Sequence, residues 1–307
     1  MPVRIPKDLP ARKFLENENI FVMTYERAES QDIRPLRIAV LNLMPNKIAT
    51  ETQLLRLMGN TPLQVDVQFL TTSSYTATHT SEEHLTSFYK TFDEVVKEGV
   101  KYDGMIITGA PVEKLDFTDV KYWNELSRIM DWASRNVYSS MFICWAAQAA
   151  MYHYYGIDKR PLNKKAFGVF RHDVFNRTNP LVRGFDDEFW VPHSRHTTVR
   201  IEDVAAHPEI KIISTSPEAG LFLCATERGK QVFVTGHSEY DADTLEREYL
   251  RDKNAGLPIE VPVNYYPGDD DTKSPLVRWR SCANLLYSNW LNYFVYQSTP
   301  YNIEEIE

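Results

Sequence analysis

The first half of the chain alternates two kinds of segment, and this alternation restricts the fold more than any other feature. Residues 35–44, Pro-Leu-Arg-Ile-Ala-Val-Leu-Asn-Leu-Met, form a nearly continuous apolar run, followed over 48–59 by a helix-like stretch that ends near Gly59-Asn60. The pattern repeats with 65–70 as strand, 82–99 as helix, 104–108 as strand, 119–135 as helix and 140–144 as strand. Strands without a polar face are buried on both sides, and parallel neighbours need a helical crossover. The expected fold is therefore α/β: a mainly parallel, doubly wound sheet with helices on both faces.

Beyond residue 155 the segments become shorter. Stretches at 168–174, 197–201, 211–215, 221–226 and 231–235 predict an additional antiparallel portion in the C-terminal half. Residues 244–253 and 282–295 are expected as closing helices, separated by a loop over 258–275 rich in Pro, Gly and Asp. A chain of 307 residues can bury a full core. The expected organisation is one domain over 1–307, with an N-terminal arm at 1–34 and a C-terminal helix and tail at 276–307.

The net charge of −8, with no clustered Lys/Arg, argues against nucleic acid as a main partner. No basic-then-apolar signal segment opens the sequence and no apolar run approaches membrane-spanning length, so a cytoplasmic protein without a membrane partner is expected. Three widely spaced cysteines, Cys144, Cys224 and Cys282, suit reduced thiols better than a disulfide framework.

The run Ser140-Met-Phe-Ile-Cys144-Trp-Ala-Ala-Gln-Ala-Ala150 sends a strand directly into an Ala-rich helix with a cysteine at the junction. There the helix dipole and free backbone N–H groups favour a thiolate, and the same N–H groups, Trp145 among them, can hold an oxyanion. A cysteine nucleophile needs a base and a group to orient that base. Gln231-Val-Phe-Val-Thr-Gly-His237-Ser-Glu239 supplies both at the end of another apolar strand. If the two strands are parallel neighbours, their reactive ends emerge at the same carboxyl edge of the sheet. Strand spacing would put His237 and Glu239 on one face. A lone cysteine is more often a small buried hydrophobe, and it is the paired strand-end motifs that reverse this preference.

Other motifs are weaker. His193-Ser-Arg-His196 invites a metal reading, but the segment is flanked by proline, is expected to be a loop, and lacks a second ligand pair, so no metal is expected. Asp269-Asp270-Asp271 lacks the glycine and terminal glutamate of a calcium loop. Arg251 is either a surface ion pair or a clamp for a substrate carboxylate, and periodicity does not choose between them.

With Cys144 in Phe-Ile-Cys-Trp-Ala-Ala-Gln-Ala-Ala and His237 and Glu239 in Val-Thr-Gly-His-Ser-Glu-Tyr-Asp, the chain resembles the MetA-type homoserine O-acyltransferases. The resemblance extends through Arg34-Pro-Leu-Arg-Ile-Ala-Val-Leu-Asn-Leu-Met-Pro-Asn-Lys47, Thr108-Gly-Ala-Pro-Val-Glu113, Pro192-His-Ser-Arg195 and Trp279-Arg-Ser. It implies a class I glutamine amidotransferase-like fold, an acyl group carried on Cys144, His237 as general base and Glu239 as its support. It further implies substrate contacts from Lys165, Ser194 and Arg251, with Lys47 a weaker candidate.

The resemblance also makes Glu113 the residue that selects the acyl donor. Members using succinyl-CoA look to have glycine there, and a glutamate would fill that space and repel the distal carboxylate. The expected partners are L-homoserine and acetyl-CoA as co-substrate, with no further cofactor, in a homodimer serving methionine synthesis. Succinyl-CoA is the alternative donor. A glutaminase on the same fold is more remote, since Phe142 and Ala146 replace the glycines usual at such an elbow, and a non-enzymatic binding protein is the rival from another class.

Overall fold

The computed structural model describes residues 3–17, 22–23, 34–74, 80–300 and 302–306. In chain order the described strands are β1 (Val3–Arg4), β2 (Val22–Met23), β3 (Leu36–Leu41), β4 (Val65–Thr71), β5 (Tyr89–Thr91), β6 (Tyr102–Ile107), β7 (Val137–Ile143), β8 (Arg160–Val174), β9 (Glu188–Thr198), β10 (Ile210–Ser216), β11 (Gly220–Thr226) and β12 (Gln231–Val234). The helices are α1 (Pro10–Asn17), α2 (Lys47–Met58), α3 (Glu82–Phe88), α4 (Phe92–Glu98), α5 (Trp123–Asn136), α6 (Trp145–Tyr155), α7 (Ile201–Ala205), α8 (Thr244–Asn254) and α9 (Arg280–Asn289).

All the described strands join one sheet, in the order β2-β1-β4-β3-β6-β7-β12-β11-β10-β8-β9, with β5 paired to β4. Every pairing from β2 to β12 is parallel, and every pairing from β12 to β9 is antiparallel. The expected mainly parallel sheet with an antiparallel extension is therefore present. β12 is the junction, parallel to β7 on one side and antiparallel to β11 on the other.

Alternation along each strand divides the core into two layers. Ile38 and Val40 of β3 pack with Leu54, Leu55, Leu286 and Trp290 on one face. Ala39 and Leu41 pack with Ile107, Leu126, Ile129 and Phe142 on the other. Each such side chain taken fully out of water contributes about 1.5–3 kcal/mol. A third cluster, Phe167, Val169, Leu245, Tyr249, Tyr265, Tyr266 and Trp279, ties α8 and the loop after it to the antiparallel end.

Several boundaries differ from expectation for local reasons. The helix expected over 82–99 is broken into α3 and α4 by β5, because Tyr89 turns inward, donates its hydroxyl to Glu51 at 2.5 Å and pairs with β4. Thr91 then starts α4 with a capping box closed by Glu94. The first strand ends at Leu41 rather than 44, and α5 starts at Trp123 after a 3₁₀ turn at Phe117–Asp119. The closing helix is α-helical only to Asn289 and continues as a π-helix over Trp290–Tyr296.

His193-Ser-Arg-His196, expected as a loop, lies inside β9, whose partner β8 runs alongside. The strand expected over 197–201 ends at Thr198, and α7 begins at Ile201. Among the described residues no helix is long and apolar enough to cross a membrane.

Candidate active site

β7 ends one residue before Cys144, whose N–H donates to Val234 O of β12 at 2.7 Å. The chain then reverses into α6 with Cys144 at φ 52° and ψ −113°. A side chain in this region is strained by about 1–3 kcal/mol, and such strain is retained where flanking structure imposes it. Here a buried strand and a buried helix do so, with Ala147 and Gln148 donating back to Cys144 O at 3.0 and 3.3 Å. Trp145, fully buried against Phe117 and Tyr122, fixes the start of the helix. Its backbone N–H, in the first turn, meets no protein acceptor among the described residues and is free to hold an oxyanion.

His237 and Glu239 lie past the end of β12 in a turn, not on the strand itself, so strand periodicity is not what aligns them. Three neighbours shape that turn. Thr235 donates its hydroxyl to Leu221 O, and the His237 N–H donates to Pro192 O at 2.8 Å. Gly236 packs so closely on β9 that a Cβ would lie 2.7 Å from Val191 Cγ1 and 3.0 Å from the His193 ring. His237 Nδ1 then meets Glu239 Oε1 at 2.7 Å, while the imidazole also bonds the Cys144 side chain. The ring stacks on Tyr240 at 4.2 Å between centroids.

Burial opposes charge on His237, but the negative charges of Cys144 and Glu239 and the bonds to both outweigh it. The imidazole is held protonated well above the ordinary histidine range. His237 thus stands as a charged imidazole between the Cys144 side chain and Glu239.

The substrate contacts implied by resemblance converge on a carboxylate that sequence reasoning missed. Glu248 of α8 takes Lys165 Nζ at 2.5 Å, accepts from Ser194 Oγ at 2.9 and 2.8 Å, and has Arg251 Nη2 at 3.9 Å. Arg251 is mostly exposed, its Nε bonded to Asp252 at 2.6 Å. Lys165 comes from the part of β8 where its register against β9 shifts, between Pro161 and Ala166, and covers the Phe167 ring at 4.2 Å. Three cationic or hydroxyl groups thus surround one anion, an arrangement suited to the paired charges of an amino acid. Glu248 sits in a helix of ordinary charged texture, Thr244–Asn254, so the sequence offered little to single it out.

Tyr240 is the second residue that was missed, and it joins the parts of the site. Burial first, then the charges of Glu248, Glu239, Cys144 and Glu113, hold its phenol neutral far above its ordinary range. Glu113 itself lies partly buried in the loop after β6, within electrostatic reach of both Tyr240 and His196.

Lys47 opens α2 after the end of β3. Its Nζ donates to Asn42 O at 2.5 Å beside a cavity of about 230 Å³ lined also by Pro111, Val112 and Tyr122. Burial lowers it to about 8, against the pull of Glu51. His193 and His196 cannot share an ion, since along β9 His193 is buried on one face and His196 faces the other. Among the described residues no cluster of His, Cys, Asp and Glu is suited to a metal.

A cysteine at a strained strand-to-helix elbow thus stands beside a His-x-Glu pair that follows the neighbouring parallel strand, on a class I glutamine amidotransferase-like fold. Solved structures support that fold. A glutamine amidotransferase from Thermotoga maritima superposes with TM-score 0.50 at 15% identity, covering 85% of this chain and 99% of that one. A glutamine amidotransferase from Methylobacillus flagellatus gives 0.50 at 12%, covering 86% and 96%.

The family model described as homoserine O-succinyltransferase matches residues 2–301. A homoserine O-acetyltransferase from Acetivibrio thermocellus is 59% identical over the whole of both chains. One from Petrotoga mobilis is 57% identical over 100% of this chain and 99% of its own, and one from Clostridium novyi 60% over 98% and 99%. The chain belongs to the homoserine O-succinyltransferase family and is an acyltransferase.

Proposed function

We propose that the protein transfers an acetyl group from acetyl-CoA to the side-chain hydroxyl of L-homoserine through an acyl-Cys144 intermediate. The observation that carries this reading is the buried Cys144–His237–Glu239 arrangement at an elbow with a free Trp145 N–H. The Cys144 thiolate attacks the thioester carbonyl, and the Trp145 N–H receives the developing oxyanion. Collapse expels CoA, which takes the proton from His237 and leaves the imidazole neutral. Homoserine then enters. Its hydroxyl gives its proton to His237 while its oxygen attacks the acyl carbonyl, and the second collapse returns Cys144 as thiolate beside a protonated His237. Glu239 keeps the imidazole aligned and supports its charge throughout.

Homoserine carries an ammonium and a carboxylate. Glu248 is suited to the first, and Arg251 and Lys165 to the second, with Ser194 between them. For the donor, Glu113 supports acetyl over succinyl, because a second carboxylate would meet a partly desolvated like charge. The names of the relatives agree with acetyl transfer, while the description of the family model names succinyl transfer.

Intact mass after mixing with acetyl-CoA or succinyl-CoA, without homoserine, tests the reading in wild type and Cys144→Ala. The expected result is an acetyl adduct that needs Cys144 and that homoserine discharges. A succinyl adduct instead would reverse the donor assignment. Undiminished turnover by Cys144→Ala would remove the nucleophile assignment.

A further inference from the structure

Two hydrogen bonds anchor His237. Its N–H donates to Pro192 O at 2.8 Å, and its Nδ1 meets Glu239 Oε1 at 2.7 Å. Neither fixes the tilt of the imidazole about the line from Nδ1 to Oε1, since a single hydrogen bond tolerates a range of angles. Tyr240 supplies what is missing. Its ring lies flat on the imidazole, with the centroids 4.2 Å apart and 11° between the planes.

Tyr240 is itself braced from behind. Its N–H closes the turn on His237 O at 3.3 Å, and its carbonyl accepts from Trp279 Nε1 at 2.9 Å. Trp279 is 2% exposed and belongs to the third core cluster, against which Tyr240 also packs. The Tyr240 hydroxyl makes no hydrogen bond among the described residues, and burial keeps the phenol neutral. The ring therefore acts on His237 through its face.

The other groups around His237 provide charge or backbone, and among the described residues no second aromatic ring contacts the imidazole. Cys144 at the elbow and Glu239 in the turn carry negative charge. Gly109, from the loop after β6, brings only backbone; a Cβ there would lie 3.7 Å from His237 Cε1 and 3.4 Å from Cys144 Cβ. From β9, His193 lies against Gly236, with its Nε2 3.1 Å from His172 Nε2. Burial keeps both of these histidines neutral.

We propose that Tyr240 is a positioning residue for His237: its ring face sets the tilt of the imidazole and supports its charge. The inference rests on His237 being the group that exchanges the proton during acyl transfer. A neutral aromatic face within about 6 Å attracts a cation. The same face stays in contact when the imidazole is neutral, whereas the hydrogen bond to Glu239 weakens once the positive charge is gone. The ring is thus held in place both after it gives its proton to CoA and while it takes one from homoserine.

The test is the discharge of preformed acetyl-Cys144 by homoserine, after removal of CoA, followed in single turnovers as loss of the adduct mass across pH. With its sulfur acylated, Cys144 has no proton to titrate. Discharge then rises with pH as His237 becomes neutral and able to accept the hydroxyl proton. Tyr240→Leu removes the aromatic face. Its midpoint is expected about half to one pH unit lower, because the charged imidazole loses its partner, and its plateau about tenfold or more lower, because the ring is no longer aligned. Tyr240→Phe keeps the face and should restore both. A merely structural role would lower the plateau and leave the midpoint in place, so a folded Tyr240→Leu with the wild-type midpoint would overturn the proposal.

Should Tyr240→Leu fail to fold, Trp279→Phe carries the test. It keeps a ring in the core but removes the N–H that holds the Tyr240 carbonyl, so a smaller shift in the same direction is expected, and an unchanged profile counts against the proposal. Absence of an acetyl adduct in wild type would strike the proposed reaction instead. The stack is then read from the ¹⁵N signals of the His237 imidazole, which need no acyl donor: a lower midpoint in Tyr240→Leu than in wild type supports it, and coincident midpoints overturn it.

Discussion

His237 Nδ1 and Glu239 Oε1 lie 2.7 Å apart with less than a tenth of either side chain exposed, so the carboxylate acts on the imidazole with little solvent screening. Glu239→Gln keeps the size of the side chain and removes its charge. The protonated imidazole then loses one of its two supporting anions, and its titration moves down toward the ordinary range. We expect kcat to fall about 10²- to 10⁴-fold, by analogy with neutralising the acid of a Ser-His-Asp triad. Steady-state kinetics at saturating homoserine across pH check both the fall and the direction of the shift. Wild-type kcat in the variant would remove Glu239 from the mechanism.

Glu248 gathers Lys165 from β8, Ser194 from β9 and Arg251 from one turn further along its own helix. If it receives the ammonium of homoserine, Glu248→Gln should raise KM for homoserine about tenfold or more, the equivalent of one charge-assisted hydrogen bond of about 1.5–3 kcal/mol. The acylation half-reaction, measured as adduct formation from acetyl-CoA alone, should change little. A variant slow in acylation but normal in homoserine KM would contradict this role.

Removing the Glu113 side chain tests donor selection without touching the nucleophile. Glu113→Gly should increase kcat/KM for succinyl-CoA relative to acetyl-CoA by about one to two orders of magnitude, since it removes both bulk and like charge from a partly buried position. Competition between the two donors, read from the mass of the acylated product, gives the ratio directly. An unchanged ratio would place donor selection elsewhere.

What was legible in the sequence depended on how local the cause was. The apolar runs of β3, β6 and β7 are short-range signals, and the parallel half of the sheet follows from them. The Cys144 elbow was visible because strand, cysteine and alanine-rich helix are contiguous. Tyr89 broke a helical pattern because its hydroxyl is held by Glu51, 38 residues earlier, which periodicity cannot register. His193-Ser-Arg-His196 resembled a loop because it follows a proline, yet Pro192 lies in β9 with its carbonyl directed at His237. Glu248 and Tyr240 acquire their places only when α8 and the turn after β12 are brought over β8 and β9. Such relations belong to the folded chain alone.

The buried histidine pair also predicts how stability varies with pH. His172 is fully buried and protonates only at about 3 in the folded protein, against 6.5 for an ordinary histidine. Between those values the unfolded chain binds the proton and the folded chain does not, so stability rises with pH and is lost on acidification. The slope is about 1.4 kcal/mol per pH unit for each histidine so held, and His193 acts in the same sense. His237 has the opposite sign. Its folded value is raised, so its contribution is complete below 6.5 and is lost as pH rises through that folded value. Urea midpoints measured from about pH 4 to about pH 6, inside the window where His172 differs between the two states, isolate the first effect. His172→Phe should flatten the acid limb by about 1.4 kcal/mol per pH unit relative to wild type, whatever its absolute stability. Parallel acid limbs in the two proteins would mean that His172 is already protonated in the folded state over this range, and the histidine would not be the source of the acid loss.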